Sequence, residues 1–168
     1  MKSKLFYLLL IPLFSFAFQS CKDKDDNSSA YAEWRAKNEA HIEDIRNNPA
    51  YRATIEPQGG PGVVYYKIDK SGNGKRPLDT DRVKVRYEGF LINSDKPFDD
   101  ASNRIVEFAV NGVVPGFRVA LQNMKEGDKW EVHIPWQLGY GAQGSSPKIP
   151  PYSALIFKIE LVEVILSK

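Results

Sequence analysis

Arg82-Val83-Lys84-Val85-Arg86-Tyr87-Glu88-Gly89-Phe90-Leu91-Ile92 is the segment whose reading decides the fold. Val83, Val85, Tyr87, Gly89 and Leu91 alternate with Lys84, Arg86, Glu88 and Phe90. Successive side chains of a strand point to opposite faces, so a period of two marks a strand with one buried and one wetter face. Upstream, residues 63–70 are rich in Val, Tyr and Ile and read as another strand, followed by the turn Ser71-Gly72-Asn73-Gly74-Lys75. Downstream, Asn93-Ser94-Asp95-Lys96-Pro97 turns the chain, and Val106-Glu107-Phe108-Ala109-Val110 is a further short strand.

One helix interrupts the strands. Pro115 fits the first turn of a helix, Phe117, Ala120, Leu121 and Met124 give it one apolar face, and Gly127 lies past its end. Trp130, Val132 and Ile134 then alternate with Glu131 and His133, and Leu155, Phe157, Ile159 and Leu161 alternate with Lys158 and Glu160. Near Val162 and Val164 the apolar face changes sides, which predicts a bulge or a strand covered on both faces. Many strands and one short amphipathic helix define an α+β domain. Its expected form is a curved antiparallel β-sheet wrapped around that helix, with an N-terminal helical extension.

The connection Gly139-Tyr140-Gly141-Ala142-Gln143-Gly144-Ser145-Ser146-Pro147-Lys148-Ile149-Pro150-Pro151 is long for a link between two strands. It carries Tyr140 and Ile149, whose apolar bodies fit a loop that lines something. The expectation is one wall of an apolar pocket.

The N-terminal end differs in character. Met1-Lys2-Ser3-Lys4 is basic, and residues 5–18 form an apolar run broken only by Pro12 and Ser15. That run is short of the roughly 20 residues a membrane-spanning helix needs. It has the length and flanks of a signal-peptide core. The only cysteine, Cys21, follows at once, so no disulfide framework exists. Phe18-Gln19-Ser20-Cys21 resembles a bacterial lipobox, although Phe18 and Gln19 stand where Leu and a small residue are usual. The resemblance implies lipidation at Cys21 and an anchor in the outer membrane of a cell envelope. Removing residues 1–20 takes two of the 23 basic residues and none of the 21 acidic ones, which leaves the charge balanced. A nucleic-acid partner, which would need a clustered basic surface, is not indicated.

Residues 21–30 are polar and read as a flexible tether. Residues 31–48 read as a helix, with Trp34, His41, Ile42 and Ile45 on a narrow stripe, and Pro49 stops it. The stripe is too thin for its own core. It packs on the main domain, pairs with another copy as a homodimer, or stays exposed; the first is the reading taken. Pro57-Gln58-Gly59-Gly60-Pro61-Gly62 is a cluster of breakers and the expected boundary. The chain divides into a leader (1–20), a tether (21–30), a helical extension (31–56) and the main domain (57–168).

No P-loop, dinucleotide fingerprint or zinc-type Cys/His spacing is present, so neither a cofactor nor a metal site is expected. His41 and His133 have no nucleophile pattern nearby, and each is read as a surface histidine. Ser145 and Ser146 lack a nucleophile-elbow context. What remains is an apolar pocket with a few polar groups at its rim.

Val83-Lys84-Val85-Arg86-Tyr87-Glu88-Gly89, Phe98-Asp99, Val113-Val114-Pro115-Gly116-Phe117, Tyr140-Gly141, Ile149-Pro150-Pro151 and Leu155-Ile156-Phe157 stand in the order and spacing of FKBP-type peptidyl-prolyl isomerases. The resemblance spans residues 63–166. It implies the same sheet-around-helix fold and cis/trans isomerisation of X-Pro bonds in proline-containing polypeptides, without a cofactor. It also implies the site: Tyr87, Asp99 and Tyr140 as catalytic positions, and Phe98, Arg104, Val113, Val114, Phe117, Ile149 and Phe157 as substrate-binding ones. Phe117 holds a pocket-floor position where the family usually has Trp, Val106 holds one that is often Phe, and Ser145 stands where some members have His. The alternative these changes leave is a weakly catalytic or non-catalytic binding and chaperone module of the same fold.

Overall fold

A computed structural model describes residues 25–55 and 62–167. Cys21, the leader and residues 57–61 of the breaker cluster lie outside them. The elements run α1 (Asp25–Asn47), β1 (Arg52–Ile55), β2 (Val63–Lys70), β3 (Arg82–Leu91), β4 (Asp99–Asp100), β5 (Val106–Ala109), α2 (Pro115–Asn123), β6 (Lys129–Ile134) and β7 (Leu155–Ile165). All strands join one antiparallel sheet in the order β1-β2-β6-β7-β3-β4, and β5 pairs with β3 beside β4.

β3 lies between β7 and the short edge strands β4 and β5, and it keeps the alternation read from its sequence. Val83, Val85 and Tyr87 enter the core while Lys84, Arg86 and Glu88 face the wetter side. Arg86 and Lys84 there pair with Glu160 and Glu163 of β7, whose outward residues carry the opposite charge. The face change near Val162 is a bulge: Lys84 pairs with Glu163 but Val85 with Leu161, so Val162 is the extra residue. The bulge returns Val164 to the core, where it is 5% exposed. α2 plugs the concave face with Phe117, Val119, Ala120 and Leu121, and Met124 follows it inward. Burying such side chains stabilises a fold by about 1.5–3 kcal/mol each relative to exposure.

The N-terminal region differs from its sequence reading in several ways. α1 starts at Asp25, so the second half of the expected tether is helical. The extension read as residues 31–56 ends in a strand: β1 pairs with β2, and the sheet therefore continues across the breaker cluster expected as a boundary. Four residues, Arg52-Ala53-Thr54-Ile55, are too few to show a period.

α1 lies on its own main domain, as the reading taken for its stripe expected. Trp34 Nε1 donates to Ser153 Oγ at 3.0 Å, and the fully buried Asn38 accepts the Ala154 N–H at 2.7 Å. His133 is not a surface histidine. It is 3% exposed, because α1 covers that end of the sheet's outer face. His133 Nε2 lies 3.1 Å from Glu131 Oε1, and its Nδ1 lies 3.0 Å from His41 Nε2. A carboxylate only accepts, so Nε2 of His133 carries a hydrogen and its Nδ1 accepts from His41. Tyr51 adds a 2.6 Å bond to the same Glu131 oxygen, and Lys67 approaches the other at 3.6 Å.

This cluster makes helix docking pH-sensitive. Burial, then the neighbouring His133, holds the His41 imidazole below its ordinary value, with Asp44 opposing. Such a base binds its proton more readily when unfolded, so its stabilisation is full above about pH 6.5 and falls as pH drops through that value. Glu131, held down to about 2 chiefly by the His133 hydrogen bond, contributes above its ordinary value of 4.5 and fades only as pH falls towards 2. Thermal unfolding of wild type and His41→Gln between pH 8 and pH 5 checks the first effect. Wild type should be the more stable at pH 8, and the gap should close on acidification.

Candidate active site

The site grows from the β3–β7 pairing. Gly89 faces Phe157 and Tyr87 faces Ile159 across these strands. Lacking a side chain, Gly89 leaves room for two rings: a Cβ there would stand 2.6 Å from Phe98 Cζ and 2.7 Å from Phe157 Cε1. Phe98 and Asp99 are drawn to β3 by backbone bonds, Phe98 N–H to Gly89 O and Ala101 N–H to Tyr87 O, both 2.8 Å. β4, Asp99–Asp100, is too short to carry a period of its own, so nothing in the sequence marks a strand there.

These elements enclose a cleft of about 310 Å³, lined by Tyr87, Phe98, Asp99, Phe108, Gly112, Val113, Val114, Phe117, Tyr140 and Phe157. The aromatic rings meet edge to face. Phe117 stands at 89° to Phe157 with centroids 5.0 Å apart, and Phe98 at 85° to Phe157 at 5.7 Å. Positive ring edges against negative faces favour this arrangement over parallel stacking. Phe117 and Phe157 are 4% and 5% exposed and form the floor.

The polar groups are few. Tyr87 donates to Asp99 Oδ2 at 2.6 Å, and burial, then this bond, pushes the Tyr87 phenol up, so it stays a donor at neutral pH. Tyr140 is 39% exposed, its phenol is also raised by burial and by Asp99, and its hydroxyl has no partner among the described residues. The Val114 N–H precedes α2 and is likewise unpaired among them. The cleft thus offers one fixed carboxylate and two open donors within aromatic walls.

Most of the expected site residues meet here, and two do not. Arg104 is exposed and makes no hydrogen bond to Asp99; it reaches the cleft through its charge, which pulls the Tyr87 phenol down against the other influences. Ile149 is 5% exposed and lies in the core beneath the loop, with its backbone bridged to Ser145. It supports the wall from behind. Lys148 at the loop tip donates to Phe98 O at 2.8 Å and ties the loop to the opposite rim. Val106 packs partly buried against the core, and Phe108, two residues on, lines the cleft instead. Phe108 and Gly112 were missed as site residues. The period of two in β5 puts Val106 and Phe108 on one face, and that signal could have flagged Phe108.

The family model for FKBP-type peptidyl-prolyl cis-trans isomerases matches residues 74–162, and the chain belongs to this family. It is 44% identical over 104 residues to the FKBP-type 22 kDa peptidyl-prolyl cis-trans isomerase of Escherichia coli strain K12, a match covering 61% of this chain and 50% of that protein. It is 38% identical over 142 residues to the FKBP-type isomerase FkpA of the same strain, covering 82% of this chain and 51% of FkpA. The chain therefore spans about half the length of these curated relatives. A crystal structure of a peptidyl-prolyl cis-trans isomerase from Pseudomonas syringae pv. tomato strain DC3000 superposes with a TM-score of 0.70 at 30% identity, covering 85% of this chain and 99% of that one. The expected α+β fold, a curved sheet around one helix with an N-terminal helix, agrees with that likeness.

Gly89→Ala tests the packing that shapes the cleft. A methyl group there would drive Phe98 and Phe157 apart, and overpacking of this kind costs about 1–3 kcal/mol. Urea denaturation should show a loss of that size.

Proposed function

We propose that this chain accelerates cis/trans isomerisation of X-Pro bonds in polypeptides without covalent chemistry. The observation that carries this is the aromatic cleft with Asp99 held 2.6 Å from the Tyr87 hydroxyl and two unpaired donors, Tyr140 and the Val114 N–H, on its lining. Rotation about a peptide bond is opposed by a barrier of about 18–20 kcal/mol because resonance makes the C–N bond partly double. X-Pro bonds populate both isomers yet interconvert over tens to hundreds of seconds. At the twisted transition state the resonance is lost, and the carbonyl oxygen carries less charge than in the planar amide. An apolar cleft suits that form better than water does, so the cleft binds the transition state more tightly than the ground state.

In this reading Phe98, Val113, Phe117 and Phe157 hold the proline ring and exclude water. The Val114 N–H and the Tyr140 hydroxyl hold substrate carbonyls and fix the flanking chain. Asp99, kept in place by Tyr87, faces the rotating carbonyl. Ile149 and Arg104 act from outside the cleft, one by packing and one by charge. No proton moves and no bond forms or breaks. Phe117, smaller than the Trp usual at the floor, favours a second reading, in which the cleft binds proline segments but turns them over slowly.

The place of work proposed for it is the cell envelope, with the domain tethered to the outer membrane through a lipid on Cys21. The basic start, the short apolar run and the cysteine directly after it support this. None of the helices among the described residues is long and apolar enough to cross a membrane. Pairing of two copies through the surface of α1 that its own domain leaves uncovered would be compatible with such a tether.

A protease-coupled assay with a Xaa-Pro peptide separates the two readings of the cleft. Wild type should exceed both Asp99→Val and Tyr140→Phe in kcat/KM by about tenfold or more. Equal rates would leave only the binding module. For the anchor, Cys21→Ser should move the protein from the membrane fraction to the soluble one, and retention in the membrane would rule out a lipid at this position.

A further inference from the structure

We infer that α1 is a positioning element of the active site, holding Tyr140 in the cleft by gripping both ends of the loop that carries it. This rests on the isomerase reading of the cleft. The grip centres on Arg35. Its guanidinium carbon lies 5.1 Å from the centroid of the Trp136 ring and 5.2 Å from that of Tyr152, and the two rings stand edge to face at 5.1 Å. Glu39, one helical turn on, accepts from Arg35 Nε at 2.8 Å and from Trp136 Nε1 at 3.2 Å. A cation over aromatic faces, itself oriented by a carboxylate, joins one face of α1 to the two residues that flank the loop.

Those two residues are the ones that fix the neighbour of Tyr140. The Gly141 N–H donates to Trp136 O at 2.9 Å, and Gly141 O accepts the Tyr152 N–H at 3.0 Å. Gly141 is thus bonded on both sides to the residues that Arg35 covers. Its φ of 64° is a left-handed conformation that glycine adopts without strain. Tyr152 also has a left-handed backbone, at φ 59°, and a residue with a side chain holds that only where its surroundings fix it. From the adjacent positions of the same helix, Trp34 and Asn38 secure Ser153 and Ala154, and the Ser153 hydroxyl passes the constraint to Pro150 O at 2.8 Å. The loop is therefore clamped at its entry and its exit by one helix, while the Tyr140 side chain makes no hydrogen bond among the described residues. A hydroxyl left to bind substrate needs its backbone fixed from elsewhere, and α1 supplies that.

The test uses the full chain and the exposed Arg35, whose replacement leaves the core untouched. Arg35→Ala should lower kcat/KM by about 3- to 10-fold through misplacement of Tyr140. In a Tyr140→Phe background, where the hydroxyl is already gone, the same change should cost less than about 2-fold, since coupled residues are not additive. Arg35→Lys, which keeps the cation, should recover part of the loss. Hydrogen exchange supplies a readout that does not depend on activity: the Gly141 and Tyr152 amides should exchange about tenfold faster in Arg35→Ala, with the amides of β3 and β7 unchanged. Unaltered exchange at Gly141 and Tyr152 overturns the inference. So does an active protein in which Arg35→Ala costs nothing, or costs the same with and without the Tyr140 hydroxyl. Wild type without isomerase activity would defeat the isomerase reading alone, and the exchange experiment would then decide whether α1 holds the loop.

Discussion

The pairing of β3 with β7 is the constraint on which the rest depends. It runs the length of β3, from Arg82 opposite Ile165 to Leu91 opposite Leu155. Its register puts Gly89 beside Phe157, and the missing side chain of one is the space filled by the ring of the other. A slip of a single residue would turn every inward side chain outward. The bulge at Val162 absorbs the one place where the sequence of β7 would have lost step. Core and cleft both follow from this register, because Tyr87 and Phe157 are each part of the buried core and of the cleft lining.

The cleft is built so that little within it needs to change during a reaction. Its rings are locked edge to face, and its carboxylate is held by a phenol that burial keeps protonated. Both open donors sit on backbone fixed elsewhere: Val114 at the start of a helix, Tyr140 on a loop tied at both ends. An environment arranged in advance of binding does not have to reorganise at the transition state, and that is where electrostatic preorganisation is most effective. The exposed ion pairs across the sheet add little to this, since pairs in water are worth about 0–1 kcal/mol each.

α1 is the part of the molecule that most changes how the rest is understood. Its narrow stripe predicted a helix that needs a partner surface, and the partner is the outer face of β6 together with the loop after it. There the helix buries His133 and bonds it through His41, beside the Tyr51–Glu131 pair, and covers Trp136 and Tyr152 with one arginine. A segment that reads as an appendage is thereby joined to the active-site loop. The family model, which matches residues 74–162, lies wholly outside this helix.

What the sequence determined by itself was local and periodic. The alternation in residues 82–92, 129–134 and 155–161 established the strands, the proline and apolar face of 115–124 established the helix, and the face change near Val162 and Val164 narrowed that stretch to a bulge or a strand covered on both faces. The order of motifs from Val83 to Phe157 located the cleft. Only the tertiary structure decided the rest, because it depended on contacts between distant segments. β1 and β4 are too short to show a period, and they exist because β2 and β3 offer them edges. Ile149 reads as a pocket residue on a loop, and it is core because the loop folds back over it. Phe108 and Val106 share a face, and the closure of the sheet alone decides which of them reaches the cleft. His133 reads as solvent-facing by its place in the alternation, and it is buried because a helix nearly a hundred residues earlier in the chain lies on top of it. Periodicity tells which face of an element a residue is on; what covers that face is settled only when the elements meet.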